Sequence, residues 1–329
     1  MSASFRKSLW PLDPQVLFLN HGSFGSCPHA VLERQQQLRM ELERAPMSFL
    51  VRRLEARLDS AREVLGRFVG VSPGDLAWVR NATTGVNAVL RSYEFHAGDE
   101  LLTTNHAYNA CRNSLEFVAD RTGAQVKIAD VPFPIERSQQ VTDAILDRVT
   151  PKTRLVMLDH VTSPTALIFP LEQILPELNQ RGIDSLIDGA HAPGMIPLNL
   201  SELRPTYYTG NCHKWMCAPK GAAFLYVDSS RQMSVRPLTI SHAANRPRDD
   251  RSRFLAEFDW IGTDDPTAAL CVPSSIEYLE NLVPGGWPEL RRRNHELALM
   301  AQQVICEAVQ CKVPAPANMI GSMVAVPLD

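Results

Sequence analysis

Between residues 76 and 227, short apolar runs alternate with longer amphipathic stretches, and no other feature constrains the fold of this chain as strongly. The runs occupy 76–79, 100–103, 125–129, 154–158, 183–187, 207–209 and 222–227. Each has the length of a strand, and most are followed by a segment long enough for a helix. This pattern predicts an α/β fold with a mainly parallel seven-stranded sheet sandwiched by helices. In such sheets ligands gather outside the carboxyl ends of the strands. The residues just after each run are therefore where chemistry is sought.

The flanks read differently. Segments 30–45 and 49–68 carry apolar residues at helical spacing and are parted at Pro46. Beyond Gly262, segments 266–282 and 289–309 read as two long helices broken by PGGWP, and 324–326 reads as the opening of a strand. The predicted organisation is a large domain over 16–285 and a smaller α/β domain built from 1–15 and 286–329, its C-terminal part incomplete. A formal charge of −3 gives no basic surface for nucleic acid or anionic lipid. No apolar stretch approaches the ~20 residues that span a bilayer. The apolar run 16–19 is too short for the core of a signal peptide, so the expected location is cytoplasmic. Seven scattered cysteines suit reduced thiols.

Five loops after the runs carry candidate chemistry. RNATTGVNA places Asn81, Thr83 and Thr84 where a helix begins; this suits a phosphate, although on this segment alone a helix N-cap is the commoner reading. No GxGxxG or GxxxxGK[ST] motif is present, which argues against a dinucleotide or a nucleoside triphosphate. TTNHAYNA puts His106 and Tyr108 at a strand end, where a flat imidazole could stack on a planar ligand. HVTSPTA displays the hydroxyls of Thr162, Ser163 and Thr165 on a turn, because Pro164 holds Ser163 extended. In SLIDGAHAPG, Asp188 directly follows an apolar run and must find a partner, since an unpaired buried charge is costly. His191 follows three residues on, but no third metal ligand stands at a convincing spacing. Finally, TGNCHKWMC sets Lys214 in a largely apolar stretch with no acidic neighbour in sequence. There a depressed pKa would make it a nucleophile. The Cys212, His213 and Cys217 spacing matches no finger or ribbon, and no metal is expected.

Together, a phosphate site, a stacking ring, a strand-end aspartate and a lysine 26 residues further on are the parts needed to bind pyridoxal 5′-phosphate. Lysine binds the aldehyde, aspartate keeps the pyridine nitrogen protonated, and the helix N-terminus takes the phosphate.

With these motifs in order, the chain resembles the class V aminotransferase family of fold-type I pyridoxal phosphate enzymes, and within it the isopenicillin N epimerase-like branch. The resemblance is carried by FLNHGSFGSCP (18–28), RNATTGVNA (80–88), NHAYNA (105–110), HVTSPTALIFP (160–170), DGAHAPG (188–194), TGNCHKW (209–215) and EFDWIGTDDPTA (257–268). It implies that Lys214 carries the cofactor and moves the Cα proton, that Asp188 pairs with the ring nitrogen and that His106 stacks on the ring. It implies His191 and Ser163 near the 3′-oxygen, and Thr83, Thr84, Asn211 and His213 around the phosphate. Thr263 would reach the phosphate of a neighbouring subunit in a homodimer, and 20–25 would border the substrate pocket.

The resemblance further implies a small amino-acid substrate and epimerase, C–S lyase or aminotransferase chemistry. Members of this group usually continue for about sixty residues more, a region that brings the arginine for the substrate carboxylate. No substitute for that arginine is evident in the sequence. A cysteine desulfurase would need a nucleophilic cysteine from the same region. The contrasting expectation is a shortened chain that binds the cofactor or a partner subunit without turnover.

Overall fold

The computed structural model describes residues 8–328. Residues 1–7 of the segment assigned to the small domain, and Asp329, lie outside the described residues. The seven runs form strands β1 Leu76–Val79, β2 Glu100–Thr104, β3 Gln125–Ala129, β4 Thr153–Asp159, β5 Asp184–Asp188, β6 Tyr207–Asn211 and β7 Ala223–Val227. They make one sheet in the order β1-β7-β6-β5-β4-β2-β3. Only β7 pairs antiparallel, with β1 on one side and β6 on the other. The fold is thus the mainly parallel seven-stranded α/β sheet expected from the alternation. β7 reverses because the 212–222 connection returns as a loop, whereas a parallel partner would need a helical crossover.

Successive side chains on a strand point to opposite faces, and here both faces are buried. Leu102, Val156, Leu158, Ile187, Tyr208 and Phe224 pack on one side, with Leu65 and Val69 of helix α2 (Leu54–Val69) and Ile174 and Leu178 of Leu171–Gln180. Leu101, Leu155, Met157, Leu186, Tyr207 and Leu225 pack on the other. There they meet Val86 and Leu90 of α3 (Ala82–Ser92) and Cys111 and Leu115 of α4 (Asn109–Thr122). By the same parity Asp159, Asp188 and Thr209 face α3 and α4. Gly85 lets α3 come this close: a Cβ there would run into the hydroxyl of Thr209.

Both flanks differ in detail from the sequence expectation. Helix α1 is His29–Arg44, and a π-helical turn, Met47–Arg53, leads into α2. The helix expected over 266–282 is split into Thr267–Leu270 and Val272–Glu280. Pro273 sits in the first turn of the second piece, where its missing N–H is tolerated. No strand forms over 324–326; instead Ile320 makes an isolated bridge with Leu167, and Ile168 N–H donates to the Met319 carbonyl. Trp287, Ala298, Met319 and Ile320 join the core that covers one face of the sheet.

Charge pairing anchors the segment around residue 259 to α2. Arg62 is fully buried and donates to Asp259, itself buried, and to the half-exposed Asp59; Arg251 donates to the same two carboxylates. Breaking a buried pair by removing one partner strands the other charge. Asp259→Ala should therefore destabilise the chain by about 3 kcal/mol or more, whereas Asp59→Ala, at the exposed end, should change stability by about 1 kcal/mol or less. Urea unfolding midpoints of the two variants check the order.

Candidate active site

β4 and β5 end side by side, and their last residues, Asp159 and Asp188, are register partners. β6 ends at Asn211 and the chain turns at once through His213 and Lys214. The N-terminus of α3 lies opposite. These ends, with Ser23, Phe24, Tyr108, Ser163, Ala190 and His191, line a cavity of about 220 Å³ that includes Asn81, Ala82 and Thr83. It lies at the carboxyl ends of the parallel strands, as the topology requires.

Lys214 Nζ is 3.0 Å from His191 Nε2. Burial pulls the lysine below its usual range, against the raising effect of Asp188, Asp159 and Cys111. Burial also depresses His191, to about 3, so the imidazole is neutral at ordinary pH. Asp188 accepts hydrogen bonds from the Cys111 thiol at 3.1 Å and the Ala190 N–H at 2.9 Å. Its pKa is nevertheless raised, because burial disfavours its charge. Asp159 is pushed further up by burial and by the charge of Asp188.

At the helix end, Ala82 N–H donates to Asn211 Oδ1 at 2.8 Å, tying α3 to β6. Asn81 caps α3, its Oδ1 accepting from Thr84 N–H at 2.8 Å and from Thr84 Oγ1 at 3.0 Å. His213 Nδ1 donates to the Ala222 carbonyl at 3.0 Å, and burial lowers its pKa to about 4.

Of the ten residues expected to hold the cofactor, Thr83, Ser163, Asp188, His191, Asn211, His213 and Lys214 line this one cavity. Three do not. His106 is buried elsewhere: Nε2 donates to the Val131 carbonyl at 2.9 Å, Nδ1 lies 2.6 Å from Thr165 Oγ1, and Phe133 meets the ring edge-on. The turn that follows Thr104 directs the imidazole back into the protein, away from the cavity where His106 was expected to stack; Tyr108 and Phe24 line the cavity instead. Thr84 is committed to the Asn81 cap. Thr263 is exposed on a bend and does not line the cavity of its own chain.

The sequence reading missed Asp159. It follows the apolar run 154–158 just as Asp188 follows its own run, so the same rule would have found it. No arginine lines the cavity among the described residues, and these residues contain no three-ligand cluster suited to a metal ion.

The residues fit pyridoxal phosphate by the chemistry of their groups. A buried amine with a depressed pKa, a buried carboxylate and a capped helix N-terminus bearing Thr83 converge on one small cavity. An α/β sheet carrying this set defines a fold-type I pyridoxal phosphate enzyme.

The comparisons agree. Residues 18–329 match the model of the family "Aminotransferase class-V", and the chain belongs to that family. It is 35% identical over 326 residues to an isopenicillin N epimerase of Streptomyces clavuligerus, covering 95% of this chain and 81% of that protein. It is 29% identical to a probable chloroplastic L-cysteine desulfhydrase of Arabidopsis thaliana, covering 96% and 69%. With hercynylcysteine sulfoxide lyase of Schizosaccharomyces pombe it shares 25% identity, covering 98% and 83%. Among solved structures, the cystine C-S lyase C-DES in complex with cysteine persulfide superposes with a TM-score of 0.74 at 22% identity, covering 88% and 77%. A cysteine desulfurase of Escherichia coli does so with 0.77 at 20%, covering 93% and 78%. The cofactor of this family is pyridoxal phosphate. No helix among the described residues is long and apolar enough to cross a membrane.

Behind the site, His160 is buried, Nδ1 2.9 Å from Tyr208 Oη, and burial depresses its pKa to about 4. The folded protein keeps this ring neutral while the unfolded chain takes up a proton near pH 6.5. The stability it confers is therefore present above pH 6.5 and lost as pH falls toward 4. Over that window wild type should lose about 1.4 kcal/mol per pH unit relative to His160→Gln. Urea unfolding of both proteins at pH 7, 5.5 and 4.5 measures the difference in slope.

Proposed function

We propose that this chain catalyses removal of the Cα proton of a small L-amino acid, with Lys214 as both the cofactor-binding amine and the base. The observation that carries the reading is the buried Lys214 nitrogen, held at 3.0 Å from a neutral imidazole in the same cavity as Asp188. Bound there, pyridoxal phosphate supplies an electron sink for the charge left on Cα. Asp188 holds the ring nitrogen protonated, and the raised pKa of its carboxyl is relieved when a cation comes beside it. Thr83, Asn211 and the N-terminus of α3 hold the phosphate, and His213 borders it. His191 and Ser163 border the 3′-oxygen, and Tyr108 takes the stacking place expected of His106. Lys214 collects the Cα proton and returns it, or passes it on to the product.

The preferred outcome is loss of a sulfur substituent from Cβ of a cysteine-type substrate, supported by relatives named as L-cysteine desulfhydrases and as a sulfoxide lyase. Epimerisation is the second reading, favoured by the 35% identity to an isopenicillin N epimerase. Both share the Cα proton step, so one experiment tests the core of the proposal. Amino acids and cysteine conjugates are incubated with the protein in deuterium oxide and followed by proton NMR. Loss of the Cα–H signal with release of pyruvate, ammonia and sulfide supports the lyase. Loss of the signal with racemisation and no release supports the epimerase. A protein that binds the cofactor yet exchanges no Cα proton in any of them refutes both. Borohydride should fix the cofactor on the peptide carrying Lys214, and Lys214→Ala should abolish that adduct together with exchange. An adduct on Lys220 would overturn the assignment.

We further propose that the working unit is a homodimer in which Thr263 serves the phosphate of the second copy. Its exposure on a bend outside its own chain's cavity supports this, and a C2 arrangement gives two composite sites. The seven free thiols, six of them buried, suit a reducing compartment such as the cytoplasm. Mixing Lys214→Ala chains with Thr263→Ala chains makes hybrid dimers with one site damaged twice and one intact. If half the dimers are hybrid, up to about a quarter of wild-type activity should return. A protein that remains monomeric while holding the cofactor tightly contradicts the composite site.

A further inference from the structure

A chain of two contacts leads away from Lys214. Its Nζ is 3.0 Å from His191 Nε2, and the other imidazole nitrogen, Nδ1, accepts from Trp215 Nε1–H at 3.4 Å. An indole N–H can only donate. The lone pair of His191 that it meets must therefore be on Nδ1, and a neutral imidazole then carries its single proton on Nε2. An Nε2–H that faces a nitrogen at 3.0 Å needs a lone pair there. An ammonium offers none, whereas an amine does.

The indole is held in place from several sides. His21 packs against it with ring centroids 5.1 Å apart, and the His21 Nε2 lies 3.0 Å from the Lys214 carbonyl oxygen. Gly22 leaves room for the ring, since a Cβ there would come within 3.3 Å of Trp215 Cζ2. Gly194 does the same on the backbone side: a Cβ would lie 2.7 Å from the Trp215 carbonyl carbon and oxygen. The tryptophan is therefore built into the site.

We propose that Trp215 is a positioning residue: its indole N–H fixes His191 as the Nε2–H tautomer, and His191 in turn keeps the nitrogen of Lys214 an uncharged amine. This deepens the proposed function and rests on its reading of Lys214 as the reacting amine. The burial that lowers both Lys214 and His191 acts in the same direction. The groups that face Lys214 from the packed elements are Asp188 at the end of β5, Asp159 at the end of β4, Cys111 on α4 and His191 itself. Burial raises both carboxyls, which disfavours charge beside the lysine. With Nε2–H of His191 directed at it, the Lys214 nitrogen keeps a free lone pair. This is the state that attacks an aldehyde and accepts a Cα proton.

The test uses the full-length, cofactor-free protein and requires no substrate. Nitrogen-15 NMR of histidine-labelled wild type should show His191, identified by its loss in His191→Gln, as a neutral ring protonated on Nε2. A ring protonated on Nδ1 overturns the proposal whatever the variants do. Competitive labelling with a trace amine-acylating reagent across pH 6–11, read by mass spectrometry on the peptide carrying Lys214, gives the fraction of free amine. Trp215→Phe keeps the ring and removes the N–H. It should raise the pH of half-labelling by about one unit, which is about tenfold less free amine near neutral pH. An unchanged labelling profile in a folded Trp215→Phe protein refutes the role. If Lys214 proves not to bind the cofactor, the borohydride adduct moves to another lysine while the His191 tautomer stands, so the two readings fail separately.

Discussion

Two carboxyl groups at the ends of neighbouring strands, Asp159 and Asp188, govern the whole site. The register of β4 and β5 sets them side by side, and both are buried. Two carboxylates so close, away from water, do not both ionise. The Cys111 thiol and the Ala190 N–H favour charge on Asp188, and Asp159 is the more strongly raised of the two. Asp188 is thus the member poised to meet a cation, and a pyridinium nitrogen is a cation of the right kind. The sheet's topology supplies this pair, because only adjacent parallel strands end at the same level.

Much of this was legible in the sequence, for physical reasons. The seven strands were found because strands buried on both faces read as apolar runs; the edge strand β3, the least buried of them, is the exception in burial. Most of the polar residues in the cavity were found because ligands sit after such runs, although Asp159, placed in the same way, was missed. Directions were harder. Thr83 and Thr84 are neighbours on a helix that turns about 100° per residue, so one lines the cavity and the other closes the cap. His106 and Tyr108 stand two apart in a turn, and nothing local says which ring faces out. The partners of His106, Val131 and Thr165, come from distant segments. The split at Cys271 leaves no local mark, because the apolar periodicity runs through it and Pro273 is tolerated in the first turn of the second piece. The residues 324–326 are apolar enough for a strand, yet chain neighbours do not determine whether a partner strand lies alongside.

Five histidines in and around the site are alike in one respect. Burial lowers the pKa of His21, His106, His160, His191 and His213, which favours the neutral ring in each. Each ring therefore works through its tautomer. His213 spends its Nδ1–H on the Ala222 carbonyl and presents a lone pair at Nε2. His191 is oriented the opposite way, with Nδ1 accepting from Trp215. The positions of single protons, set by backbone carbonyls and one indole, decide what each imidazole offers a ligand.

This has a consequence for the phosphate end. Among the described residues lining the cavity, Lys214 is the only lysine, and no arginine is present. A phosphate dianion at the start of α3 would be held by dipoles: the helix terminus, the Thr83 hydroxyl and the side-chain amide of Asn211. The Asn211 oxygen is already committed to Ala82, so its NH₂ group is the part left to donate. Neutral donors bind a dianion well only when water is kept away. One subunit leaves this cavity accessible past Tyr108, which is about half exposed, and Phe24, which is 76% exposed. An exposed phenylalanine at the rim of a phosphate site is the wrong residue for an isolated subunit, and the right one for a face that a second copy covers. In the proposed homodimer, covering it would dry the site and bring Thr263 of the other chain as one more donor. On this argument the proposed dimer and the phosphate site would share one physical origin.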